Sequence, residues 1–339
     1  MTSALARSDF VRAPMLAAAD PRGYKEWHHF VVHGRDAHIL INFSLNTEIV
    51  GGITQLAPRV IVIAHDRRWT GAIERFGTED LSVSPDFGGL TIGDSRMRVT
   101  PDGYRVQIDL PRPGIRGEIA FTPVSRPFVV NNQPAGAGRM SWLFVPRLRA
   151  DGWLRVGGAE HRLERELAYH DHNWGRFWWG DDFGWTWGTI LPTERTDPWS
   201  LVYLQMTDRN RLRFQSQAVY LWHRDEPAAM LLRSAVTTHT HGTLVRDADC
   251  TLPPAMRLVV DGQVPGVPER VEIAARRGAD AVHAEFRAAS YARLVHPSEM
   301  HLDRSTVLCE TSGTAHVTGT IAGQRLDFTG AGVFEFLHG

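Results

Sequence analysis

Residues 168–189 read AYHDHNWGRFWWGDDFGWTWGT and hold five of the chain's eleven tryptophans, three aspartates and two histidines. Acids set among indole rings suit a particular chemistry. Adding a proton to an isolated carbon–carbon double bond needs a carboxylic acid that is still protonated near neutral pH, and a dry pocket provides one by penalising the carboxylate. The resulting carbocation is stabilised by desolvated indole faces, at ~2 kcal/mol or more each. Asp171 is flanked in sequence by Trp174, Trp178, Trp179, Trp185 and Trp187 and meets both demands. In an extended strand Tyr169, Asp171 and Asn173 project to one face and His170, His172 and Trp174 to the other, so one set is expected to be enclosed. The same residues also have plainer uses. Tryptophans fill cores, and a buried aspartate can simply bridge hydrogen-bond donors.

Metal binding is the competing chemistry. His170 with His172, and His239 with His241 in THTHG, are pairs that share a strand face and could chelate zinc, iron or copper. A cupin-type site would want a carboxylate a few residues after the first pair, but Arg176, Phe177 and Trp178 stand there, so no metal is expected. The sequence has no Gly-rich phosphate loop, nucleophile elbow or metalloprotease helix, and PAGAGRM reads as a loop. Cys250 and Cys309 fit neither a disulfide framework nor a thiolate zinc site and read as buried free thiols. Lys25 is the only lysine, which leaves little scope for Schiff-base chemistry. No cofactor is expected.

The elements that must position these residues are strands. HFVVHGRDAHILINFSLN, RVIVIAHD, MRVTPDGYRVQIDLP, SLVYLQMT, RFQSQAVYLWH and AVHAEFRAAS are short β-branched or aromatic runs of period 2, broken by turn residues. With 339 residues, 43% hydrophobic and 22% charged, the chain is expected to form two globular all-β domains. A net charge of −1 argues against a nucleic-acid or anionic-membrane partner. No run of roughly 20 apolar residues could span a membrane. The expectation is a soluble, cytoplasmic protein whose residues 1 to about 20 are loosely ordered.

A tandem duplication organises the strands. AEHRLERELA at 159–168 aligns with AGQRLDFTGA at 322–331, an offset of 163, and the Trp-led strands around Trp27 and Trp185 match at an offset of 158. The boundary is placed in GDDFG, giving domains 1–182 and 183–339. The first alignment sets Phe334 opposite Asp171, so the duplicated fold alone does not demand His170, Asp171 and His172.

SWLFVPRLRADGWLRVGG, LAYHDHNWG, WTWGTI and the terminal CETSGTAHVTGTIAGQRLDFTGAGVFEF resemble the lipocalin-like family of carotenoid 1,2-hydratase (hydroxyneurosporene synthase) and AttH. Tocopherol cyclase and the fungal decalin-forming Diels-Alderases are more distant kin. The most specific element is Asp-x-x-Trp-Gly at Asp171, Trp174 and Gly175. The resemblance implies two tandem lipocalin-like antiparallel β-barrels, with a hydrophobic substrate in the first barrel or at the domain junction. It implies Asp171 as proton donor, Tyr169 as its companion and Trp142 as an aromatic wall. Met140 stands where the hydratases carry a histidine, and Glu26, Trp27 and His28 where they carry EWW, which argues against carotenoid hydration specifically.

The expected activity is cofactor-independent acid catalysis on a C=C bond of a terpenoid or polyene-type molecule, as hydratase, isomerase or cyclase. Asp171 and Tyr169 are its catalytic residues. Its pocket is drawn from Trp142, Met140, His170, His172, Trp174, Trp185, Trp187, Glu26 and Trp27. The alternatives are a pericyclase that works by substrate preorganisation, and a carrier of a hydrophobic ligand that catalyses nothing.

Overall fold

The computed structural model describes residues 5, 8–18, 20–179, 182–244, 266–298, 301 and 305–338; Cys250 lies outside them. Among the described residues the protein is all-β apart from short turns of helix such as α1 (Ala13–Leu16). Among the described residues no helix is long and apolar enough to cross a membrane. The chain divides into two compact units, Met1–Phe177 and Trp178–Gly339, five residues ahead of the boundary placed from sequence.

Unit 1 contains β1 (Tyr24–His33), β2 (His38–Val50), β3 (Ile53–His65), β4 (Trp69–Arg75), β5 (Leu81–Val83), β6 (Gly89–Ile92), β7 (Ser95–Thr100), β8 (Gly103–Leu110), β9 (Ile115–Pro123), β10 (Phe128–Ala135), β11 (Gly138–Val156) and β12 (Ala159–Arg176). They form one antiparallel sheet in the order β4-β3-β2-β1-β12-β11-β9-β8-β7-β6-β5, with β10 paired to β11, and the sheet curls until β3 approaches β6. Unit 2 contains β13 (Phe183–Pro192), β14 (Trp199–Asp208), β15 (Phe214–His223), β16 (Glu226–Leu232), β17 (Val236–His241), β18 (Arg270–Arg277), β19 (Asp280–Pro297), β20 (Ser305–Ile321) and β21 (Gln324–His338), in the order β16-β15-β14-β13-β21-β20-β19-β18-β17. The orders superimpose, β1 on β13 and β12 on β21. The duplication is thus visible in topology.

Its register differs from the sequence alignment. Between Ala150 and Gly152 the β11–β12 pairing slips, and Arg165 adopts φ 53°, the signature of a β-bulge. β20 and β21 pair without such a slip. Leu163 and Leu326 therefore both point inward at an offset of 163, but beyond the bulge the inward residue matching Phe334 is His172, at an offset of 162. The equivalent of Asp171 is Val333 rather than Phe334. By the same pairing His28 matches Gly188, so Trp27 corresponds to Trp187 and not to Trp185.

The interior of unit 1 holds Phe30, Val32, Phe43, Val60, Val62, Tyr104, Phe121, Leu143 and Val145, joined by Leu5, Val11, Ala13 and Ala17 of the N-terminal stretch. These described residues are part of the core, contrary to the expectation of loose order. Each fully buried large apolar side chain contributes about 1.5–3 kcal/mol. The N-terminal residues Leu5, Val11, Ala13 and Ala17 thus pack against the sheet from within unit 1.

Candidate functional site

β12 carries two different chemistries on its two faces, as period 2 dictates. Tyr169, Asp171 and Asn173 share the face away from the unit 1 core. Asp171 is only 5% exposed. Its Oδ2 accepts a hydrogen bond from the Tyr169 hydroxyl at 3.0 Å, and its Oδ1 accepts one from Asn173 Nδ2 at 2.6 Å. Across the sheet Asp171 lies between His29 on β1 and Phe144 on β11. Burial, with the neighbouring His170, pushes the His29 imidazole down to about 3, so it is neutral at pH 7. Trp142 stacks on Phe144 with centroids 4.3 Å apart, and Phe128 lies 5.7 Å from Phe144. Trp27 stands edge-on to Phe177 on the same side of the sheet. An acid, a hydroxyl within proton-transfer reach and an aromatic wall are thereby brought together.

Gly175 of the Asp-x-x-Trp-Gly motif has a backbone reason. A Cβ there would sit 2.2 Å from the Arg139 carbonyl and 2.8 Å from Met140 Cα, so only glycine lets β11 approach so closely. Met140 is buried beside it, on the Trp142 side.

His170, His172 and Trp174 point the other way, into the core, and Glu26 of β1 points in with them. These four expected pocket residues do not share the face of Asp171. They meet Asp9 and Arg12, which sequence reading passed over. Asp9 Oδ1 lies 2.6 Å from His172 Nδ1, and its Oδ2 lies 2.9 Å from His170 Nε2 and accepts a hydrogen bond from the Tyr104 hydroxyl at 2.6 Å. His172 Nε2 reaches Glu26 Oε1 at 2.8 Å. Glu26 also accepts the Tyr24 hydroxyl at 2.8 Å and the backbone N–H groups of Arg12 and Ala13, both at 2.7 Å. Arg12 stacks 3.5 Å over the Trp174 ring. His28 is fully buried and stacks 3.7 Å from His172.

Electrostatics sort these groups. Burial would raise the Asp9 carboxyl, but His172 and His170 overcome it and hold the group well below the usual carboxylate range. Burial opposes charge on His172, yet Asp9 and Glu26 raise its imidazole above the ordinary value. Burial lowers His28, helped by the charge of His172, and burial lowers His170 against the pull of Asp9. The centre therefore favours the charged form at Asp9 and His172 and the neutral form at His28 and His170. The only hint in the sequence was the inward parity of His170 and His172, because nothing local marks Asp9 as buried.

Trp185 and Trp187 belong to unit 2, where Trp185 Nε1 donates to Glu335 Oε2 at 2.7 Å. Burial raises the Glu335 carboxyl. His239 and His241 lie exposed on the edge strand β17, and His241 pairs with Glu272. Cys309 is a buried free thiol pushed up to about 12 by burial.

No family model and no curated protein matches the chain. Solved structures do. An AttH-type protein from Nitrosomonas europaea aligns at a TM-score of 0.64 with 14% identity, covering 97% of each chain. CghA, solved with Sch210972, aligns at 0.60 with 12% identity over 94% of this chain and 89% of that one. Kievitone hydratase from Nectria haematococca aligns at 0.59 with 11% identity over 97% and 95%. At these identities the likeness is one of fold: over most of its length the chain shares the lipocalin-like β fold of the AttH-type protein, CghA and kievitone hydratase.

Proposed function

We propose that the protein is an enzyme that protonates a C=C bond of a hydrophobic small molecule without a cofactor, as a hydratase, isomerase or cyclase. The observation that carries this reading is the setting of Asp171, buried, bonded to the Tyr169 hydroxyl and facing the Trp142–Phe144 wall. The shared fold supports it, since one neighbour is named a hydratase and another was solved with the small molecule Sch210972. In the step itself the protonated Asp171 carboxyl gives its hydrogen to one alkene carbon and becomes a carboxylate. The neighbouring carbon becomes cationic beside the indoles of Trp142 and Trp27. Water then adds to that carbon and returns a proton to the carboxylate, or a neighbouring C–H loses its proton to it and an isomer or ring forms. Tyr169 and Asn173 hold the carboxyl in place through both exchanges, and Met140 narrows the wall where a basic side chain would otherwise stand.

The test is conversion of a panel of terpenoids and polyenes by the purified chain, followed by mass spectrometry. A product heavier by one water, or an isomer of equal mass, is expected. Retention of every compound unchanged, with one co-purifying, would make the protein a carrier.

A further inference from the structure

We propose that Asp9, His28 and His172 form a binding site for a single divalent d-block cation of the zinc type inside unit 1, apart from the Asp171 face. Three donor atoms, one from each residue, lie within 4.8 Å of one another and are buried. His28 is the observation that points to a ligand. It is fully buried, its Nδ1 is 3.8 Å from Asp9 Oδ1, and neither ring nitrogen has a hydrogen-bond partner. A buried imidazole without a partner is costly, and a neutral one is a ready metal ligand.

The surroundings have the form of an outer ligand shell. His172 turns Nδ1 to the centre and Nε2 to Glu26 Oε1 at 2.8 Å, the carboxylate–histidine arrangement that orients metal-bound imidazoles. Asp9 turns Oδ1 to the centre, while His170 and Tyr104 hold Oδ2. Asp9 Oδ1 and His172 Nδ1 are 2.6 Å apart, closer than the ~3.4 Å edge of a tetrahedron with bonds of ~2.1 Å. The cation therefore replaces the proton between them. That proton leaves to solvent, Asp9 and His172 move apart by less than ~1 Å, and a fourth position is left for water. Mixed imidazole and carboxylate donors suit zinc or cobalt(II) over calcium or magnesium. Arg12 Nη1, 3.2 Å from the same Nδ1, opposes the incoming charge and sets an upper limit on affinity.

The experiment uses the full chain, stripped of metal by a chelator in denaturant and refolded with equimolar cobalt(II). Visible d–d absorption is expected to saturate at one cobalt per chain. Glu26→Gln should weaken binding ~10–100-fold as an outer-shell loss, and His28→Phe, which keeps the stack, should weaken it further. Near-ultraviolet circular dichroism establishes that each variant is folded. The His239→Ala/His241→Ala variant should bind as wild type does. Refolded wild type without d–d absorption, unchanged binding in folded His28→Phe, or loss in the His239→Ala/His241→Ala variant would each overturn the proposal.

Discussion

The interiors of the two units solve one packing problem with opposite chemistry. In unit 2 the inward positions next to β13 are Gly188, Phe334 and Phe336; Phe334 stacks on Phe286 at 4.3 Å and lies above Gly188, where a Cβ would meet the ring at 2.8 Å. In unit 1 the matching positions are His28, His172 and Trp174, gathered around Asp9. A phenylalanine pair needs no partner. A buried aspartate and histidine hold together only while every member is present, and removing one partner leaves a charge stranded in the core. Two copies of one fold can therefore diverge by exchanging apolar packing for a polar centre, provided a further segment supplies the missing counter-charge. In unit 1 that segment is the N-terminal stretch, which brings Asp9 and Arg12.

The largest expected effect comes from carrying the solution of unit 2 into unit 1. His172→Phe leaves Asp9 and Glu26 buried without the imidazole they share, and should cost about 3–5 kcal/mol in urea unfolding of the metal-free chain. A loss below about 1 kcal/mol would mean that the centre does not hold unit 1 together.

Comparable in size at its upper bound is a pH effect confined to unit 1. Burial, with the neighbouring His38, holds His33 well below the ordinary value, and burial with His65 lowers His38 to about 4. The unfolded chain takes up protons at these imidazoles near pH 6.5, whereas the folded chain resists until well below that. Stability should therefore fall as pH drops from about 6.5 toward 4, by up to ~1.4 kcal/mol per pH unit for each imidazole and somewhat less for the half-buried His38. His33→Phe should flatten the slope; an unchanged slope would place the acid sensitivity elsewhere.

The smallest effect belongs to unit 2. Phe334→Leu removes ring contacts with Phe286 but strands no charge, and should cost about 1–2 kcal/mol. A loss as large as that of His172→Phe would erase the distinction between the two interiors.

The sequence showed the strands plainly, because alternation survives wherever one face is buried, and it showed the duplication through Arg162-Leu163 and Arg325-Leu326. The bulge at Arg165 was invisible, since one inserted residue leaves no local signature, yet it flips the facing of every later residue and so transferred the comparison from His172 to Asp171. The opposite faces of Asp171 and His170 were legible from parity. Asp9 was not, because a short polar stretch near a terminus reads as loose order, and only tertiary hydrogen bonds from His170, His172 and Tyr104 bury it.

The central claim, that Asp171 delivers a proton to carbon, is tested most directly by turnover in D2O. With a polyene or terpenoid that the wild-type chain converts, the product should carry one solvent-derived deuterium on carbon. Asp171→Asn should lower the rate of its formation ~10²–10⁴-fold while binding persists. A product free of carbon-bound deuterium, formed equally fast by a folded Asp171→Asn variant, would contradict the claim and leave preorganisation of the substrate by the aromatic wall as the source of the activity.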